Sequence, residues 1–192
     1  RGNIDTRSVQ VMTNVLSLIA VILAIYIPIS IMNYQQYTNL WNVYMSFDFA
    51  HAFQSVIQFF YEDCERDVER IPDEYYKRYL SDIENLKNGK IQKEDVLHYQ
   101  RRMLTDYFYE LECCRVSSHR LRKMIQQDWT QSEAYVCRIL ICMNKAVDDN
   151  HEIMMDISSI KHQHIPKTKG ISEYLARLYN ELKDEGRWMD VR

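Results

Sequence analysis

Two stretches of this chain set a basic residue ahead of a histidine in sequence that reads as helix. They are Arg115-Val116-Ser117-Ser118-His119, and Lys145 followed six positions later by His151. An arginine followed one to two helical turns later by a histidine equips a metal-independent RNase. When two such pairs meet at a dimer interface, the guanidinium polarises a phosphodiester and the imidazole supplies a proton. Both stretches depart from that pattern. The first is one residue short, and the second carries Lys145, whose ammonium lacks the planar two-pronged grip of arginine on phosphate. As ordinary helix-surface residues the same side chains would be solvated charges.

Other reactive groupings are missing from the sequence. There is no Gly-rich phosphate loop, no CxxC pair at metal spacing, no H-E-x-x-H and no G-x-S-x-G, so neither a cofactor nor a metal is expected and catalysis is not the leading expectation. His162 and His164 point apart on a helix and would share a metal only on an extended strand, so they read as loop histidines. Arg115, Arg120, Arg122 and Lys123 gather with His119 in a segment that could meet phosphates, while Glu62 to Glu74 is rich in acids. The net charge of −3 lacks the basic excess of a nucleic-acid-binding domain, and DNA is not an expected partner. Solvated helix faces account for these segments, as does a lock between the acidic and basic segments of neighbouring subunits.

The elements that must carry these residues begin with an uncharged apolar run from Val11 to Met32. A helix rises about 1.5 Å per residue, so about 20 apolar residues match the roughly 30 Å hydrocarbon core of a bilayer. A cleaved signal peptide would end in a small-residue site, whereas this run ends in Ile29-Ser30-Ile31-Met32, so retention as a transmembrane helix is expected. Tyr34, Tyr37, Trp41 and Tyr44 follow as rings suited to the headgroup level, or to the core of a soluble helix. Thr13, Ser17, Ala20 and Ala24 form a small-residue strip along which helices can approach, Asn14 adds an interhelical hydrogen-bonding group, and Pro28 would kink the helix near one interface. Arg1 and Arg7 ahead of the run favour a cytoplasmic N-terminus, but the first residue is not Met, and the native start with its charges is expected upstream. Cys64, Cys113, Cys114, Cys137 and Cys142 are odd in number and lie in helical sequence, reading as reduced small hydrophobes. They favour a cytoplasmic C-terminal domain. The expectation is a single-pass protein of the cell inner membrane, with residues 1–33 as anchor and 34–192 as a helical-bundle domain.

Within that domain few Gly and only three Pro point to an all-α fold. The pattern predicts a helix from about Asn39 to Arg70, ended by Ile71-Pro72-Asp73, with Phe49, Phe53, Val56, Phe60 and Cys64 on one face. A second spans about Asp73 to Asn88, with Tyr76, Tyr79, Leu80, Ile83 and Leu86 as its stripe and Gly89 just past its end. A long helix follows from about Glu94 to Gln127. Another, from about Gln131 to Asp149, is apolar on more than one face and is expected at the bundle centre. His151 to Ile165 is read as a short helix and Pro166 to Gly170 as a loop. A last amphipathic helix opens at Ser172-Glu173 and turns Tyr174, Leu175, Leu178, Tyr179 and Leu182 inward.

An N-terminal anchor, a compact helical domain and the Arg115/His119 and Lys145/His151 variants of the Arg/His motif resemble, in layout, the small membrane-anchored HEPN-like accessory proteins of RNA-guided (CRISPR) bacterial antiviral systems. The resemblance spans nearly the whole chain and implies that the anchored domains self-assemble into a ring whose membrane segments surround a pore. Depolarising an infected cell would then stop phage growth without catalysis in this chain. The implied partners are the lipid bilayer, further copies of the chain, and an RNA-guided nuclease or RNA. Two alternatives stand beside this one: a membrane-tethered RNA-cleaving HEPN-type dimer, and a membrane adaptor whose charged helical faces bind partner proteins.

Overall fold

The computed structural model describes residues 6–129, 131–150 and 169–183, which form helices and short connections, with no strand among them. The chain divides into two units between Asn39 and Leu40. The first is made of helix α1, which runs unbroken from Thr6 to Tyr44 through Pro28. Its large apolar side chains from Val9 to Met32 are each 47–65 % exposed, on every side of the helix. No Asp, Glu, Lys or Arg occurs between Arg7 and Asp48, and α1 is long and apolar enough to cross a membrane. The Thr13 hydroxyl donates to the Val9 carbonyl at 2.9 Å and the Ser17 hydroxyl to that of Thr13 at 2.9 Å. The hydroxyls on the small-residue strip are thus satisfied within the helix itself, an arrangement suited to an apolar surrounding.

The second unit starts at Leu40 with the last turn of α1 and continues through α2 (Phe47–Glu62), α3 (Ile71–Lys87), α4 (Leu97–Ser117), α5 (His119–Asp128), α6 (Gln131–Asp149) and α7 (Lys169–Lys183). Single-turn 3-10 segments at Val68–Arg70 and Lys93–Asp95 lead into α3 and α4. Two helices expected to be continuous are broken, each time by a serine. Ser46 is extended and its side chain accepts from the Phe49 backbone N–H at 3.2 Å, so α2 starts afresh after α1. Ser118 does the same for α5, accepting from Leu121 N–H at 3.4 Å, and ends α4 where the apolar pattern alone reads as continuous. The first of these expected helices also stops early, at Glu62. Glu65 and Arg66 then take left-handed backbone conformations (φ 53° and 67°), before Asp67 caps the following turn. Pro72 falls at the start of α3, where its missing N–H costs nothing. Gly89 (φ 67°) follows the end of α3 as expected.

α6 is the centre of the bundle. Ala134, Val136, Cys137, Ile139, Leu140, Met143, Ala146 and Val147 are all at most 1 % exposed, and the helix packs against α2, α3, α4 and α7. A helix apolar on more than one face must be covered on each of them, which is what its sequence implies. The two later rings of the expected interfacial belt belong to this core. Trp41 and Tyr44 stack at 5.6 Å, and both meet Trp129 edge-on at 5.7 Å, while Tyr44 also packs on Phe49 and Tyr107. Tyr34, by contrast, is 63 % exposed. Burial explains the difference, because from Leu40 onward the last turn of α1 has a partner surface and an aromatic ring gains more there than at a wet interface.

Candidate functional site

The two basic residue–histidine stretches are not assembled into one site by the described residues. Arg115 lies in the last turn of α4 and His119 opens α5, on the far side of the Ser118 break. Arg115 is 8 % exposed and is engaged on all sides. Its Nε and Nη2 donate to Glu112 at 2.6 and 2.8 Å, and its Nη1 pairs with Glu181 of α7 at 3.2 Å. Glu181 in turn accepts from Arg122 and from Gln126 Nε2 at 2.8 Å. Two carboxylates and two guanidiniums thus form a balanced knot that fastens α7 to α4 and α5, and Arg115 serves it as a structural cation. Lys145 is exposed on α6. His151 and the His162/His164 pair lie outside the described residues, as does the expected helix from His151 to Ile165. In the first unit, Thr13, Asn14, Ser17, Ala20 and Ala24 are exposed.

A second polar constellation, which sequence spacing did not single out, lies in the bundle interior. It draws Tyr75 and Asp82 from α3, His98, Arg101 and Thr105 from α4, and Asn144 from α6, all buried. Arg101 donates to Asn144 Oδ1, which also accepts from the Thr105 hydroxyl at 3.5 Å, and the charge of Arg101 acts on the Tyr75 hydroxyl. The Tyr75 hydroxyl and His98 Nδ1 are hydrogen-bonded to each other at 2.9 Å. Burial, with the charges of Arg101 and Arg102, pulls the imidazole down to a pKa of about 3, so it is neutral at physiological pH. Burial also pushes Tyr75 up to about 12, which keeps the phenol protonated. Asp82 seals the rim, accepting from Arg78 Nε and from the Leu97 backbone N–H, each at 3.0 Å.

No family model, no curated protein and no solved structure matches this chain. Two further features lie outside the polar networks of the bundle. A cleft of about 230 Å³ beside the start of α2 is lined by Asp48, His51, Lys93, Glu94, Tyr99 and Met103, among others. Gln100 Nε2 donates both to the Glu94 carbonyl at 3.1 Å and to His51 Nδ1 at 3.3 Å, leaving the His51 proton on Nε2. Among the described residues no cluster of His, Cys, Asp and Glu could hold a metal. The five cysteines are free thiols. Cys64 is fully buried, and burial first, then the acids Asp63 and Glu74, pushes its thiol up to about 12, which leaves it inert at neutral pH.

Proposed function

We propose that this chain is a single-pass protein of a bacterial inner membrane, with its helical bundle in the cytoplasm, that self-assembles through α1 and acts as a non-enzymatic effector by forming an oligomeric pore. The observation that carries the membrane part is the surface of α1. From Val9 to Met32 large apolar side chains stand about half exposed or more on every face, a patch far beyond what a soluble monomer leaves in water. Lipid covers such a helix, and so do other copies of it. Assembly is supported by the chemistry of the strip Thr13, Ser17, Ala20, Ala24, whose hydroxyls are already satisfied by their own backbone, so that helices can approach without stranding a donor. Asn14 adds a carboxamide for which hydrocarbon offers no partner and a neighbouring helix does. The pore and the antiviral setting rest on the resemblance to the membrane-anchored HEPN-like accessory proteins. The non-catalytic reading draws on Arg115 being consumed by Glu112 and Glu181. A pore lined by α1 would be mainly apolar and would gate by dewetting.

The test is the mass of the detergent-extracted full-length protein, beside a version that begins at Tyr34. A uniform high-order assembly that is lost on removal of α1, together with ion flux across liposomes, is the expected result. A monomer or dimer that leaves liposomes sealed would refute it and favour an adaptor.

A further inference from the structure

Arg101 differs from the other buried arginine of the bundle. Arg115 faces two carboxylates, and the partly exposed Arg78 pairs with Asp63 and Asp82. Arg101, only 3 % exposed, has a neutral hydrogen-bond partner, Asn144 Oδ1, and its Nε has no hydrogen-bond partner. Among the described residues it makes no salt bridge, and the charge of Asp106, itself paired with Arg102, acts on it only from farther off. A guanidinium taken out of water regains its lost hydration only from an opposite charge and a full set of acceptors. Here the neighbouring side chains are chiefly donors or neutral dipoles. Tyr75 and His98 are hydrogen-bonded to each other, and the imidazole is uncharged. Asn144 Oδ1 already takes protons from both Arg101 and Thr105. The α4–α6 seam at this level therefore carries, among the described residues, a buried guanidinium without a salt bridge and with an open N–H. That combination suits an oxyanion, which brings both the missing charge and the missing acceptor.

We propose that Arg101 is the charge partner of a binding site for a small oxyanion-bearing ligand, a phosphate or a carboxylate, at the seam of α4 and α6. Thr105 assists. Its hydroxyl, at 3.5 Å from Asn144 Oδ1, is held loosely enough to turn and donate to the bound anion. Asn144 holds the guanidinium in place. The proposal rests on the bundle alone and is independent of what α1 does in a membrane.

The experiment uses the full-length protein in detergent, with inorganic phosphate titrated against sodium chloride at equal ionic strength and the thermal midpoint as readout. Acetate and a simple phosphate monoester serve as parallel titrants that separate carboxylate from phosphate recognition. Phosphate stabilises most proteins by exclusion from their surface, so the deciding quantity is the difference between the wild type and R101M, which keeps the length of the side chain without its charge. The wild type is expected to show a saturable upward shift with at least one titrant. R101M is expected to lose it while melting, in chloride, no lower than the wild type. R101K, which retains the charge but not Nε–H or the planar fork, is expected to bind at least tenfold more weakly by calorimetry, and it serves if R101M does not fold. Equal shifts in wild type and R101M, the absence of any saturable shift in the wild type, or unchanged affinity in R101K would each overturn the proposal.

Discussion

At the scale of single residues, the bundle keeps its ionisable groups in two different states, and each gives a measurable consequence. The Glu112–Arg115 pair is buried at 0 % and 8 % exposure and is bidentate. Arg115→Met would leave Glu112 in the interior without its cation, and the expected cost is about 3–5 kcal/mol, read as a lower urea midpoint. That loss belongs to stability. Any drop in function of such a variant should scale with its unfolded fraction, and a fully folded, inactive Arg115→Met would contradict the structural role. His98 supplies the pH dependence. Its pKa falls from 6.5 in the unfolded chain to about 3 in the fold, chiefly through burial and then the charges of Arg101 and Arg102. Between these values the unfolded chain binds a proton that the folded one refuses, so this contribution is intact above about pH 6.5 and is lost as the pH falls towards 3. From pH 7 to pH 5 the loss is about 2 kcal/mol. His98→Gln retains an acceptor for Tyr75 and should flatten that slope in urea titrations at the two pH values; an unchanged slope would assign the acid sensitivity elsewhere.

Elements are set by short-range chemistry at their ends. Ser46 and Ser118 each satisfy an N–H that a new helix leaves without an intrahelical carbonyl. Replacing Ser118 by Ala should lower stability by about 1 kcal/mol and raise hydrogen exchange first in α5, around Leu121. Uniform change across the bundle would show that the cap is not what delimits the helix. Gly89 offers a complementary test. Its φ of 67° is left-handed and a Cβ there meets nothing within 4 Å, so Gly89→Ala carries a purely conformational cost of about 1 kcal/mol, with no steric part. α7 is the most exposed to a single change. Glu181 receives Arg115, Arg122 and Gln126, and its substitution by Gln should loosen residues 169–183 in hydrogen exchange before the rest of the bundle responds.

For the whole molecule α1 is long and apolar enough to cross a membrane, and the prediction that tests its proposed role is one of partitioning. Ile22 is 55 % exposed near the middle of the run. An arginine at that position costs about 2.5–3.5 kcal/mol at the centre of a membrane helix. Ile22→Arg should therefore shift the protein from the carbonate-resistant membrane fraction to the soluble or aggregated one, with the bundle still folded by circular dichroism. Undiminished membrane retention would mean that α1 is covered by protein instead of lipid. Within the second unit, Leu40, Trp41 and Tyr44 are tied into the bundle: Tyr107 donates to the Leu40 carbonyl at 3.3 Å, Trp129 Nε1 donates to the Tyr107 oxygen at 3.1 Å, and Tyr44 donates to Glu133 at 2.7 Å. The end of α1 is thus part of the same hydrogen-bonded core as α4 and α6.

Amino-acid order alone was enough for the properties that depend on local pattern. The uncharged run of α1, the buried Tyr79 and Ile83 of α3, the several apolar faces of α6 and the inward leucines of α7 are each written in the spacing of residues along one helix, since burial repeats with the helical period. So is the helical class of the fold. The breaks at Ser46 and Ser118 were less legible, because a serine inside an apolar period has the same spacing whether it caps a new helix or faces water, and only the backbone turn decides. The partners of long-range polar groups were not legible at all. Arg115 and Glu181 are far apart in sequence, as are Arg101 and Asn144, and no spacing rule links them. Tertiary packing brought the first pair together as a balanced structural knot and the second as a buried cation without a salt bridge among the described residues. Their roles differ because the low dielectric of the interior makes the presence or absence of a counter-charge decisive.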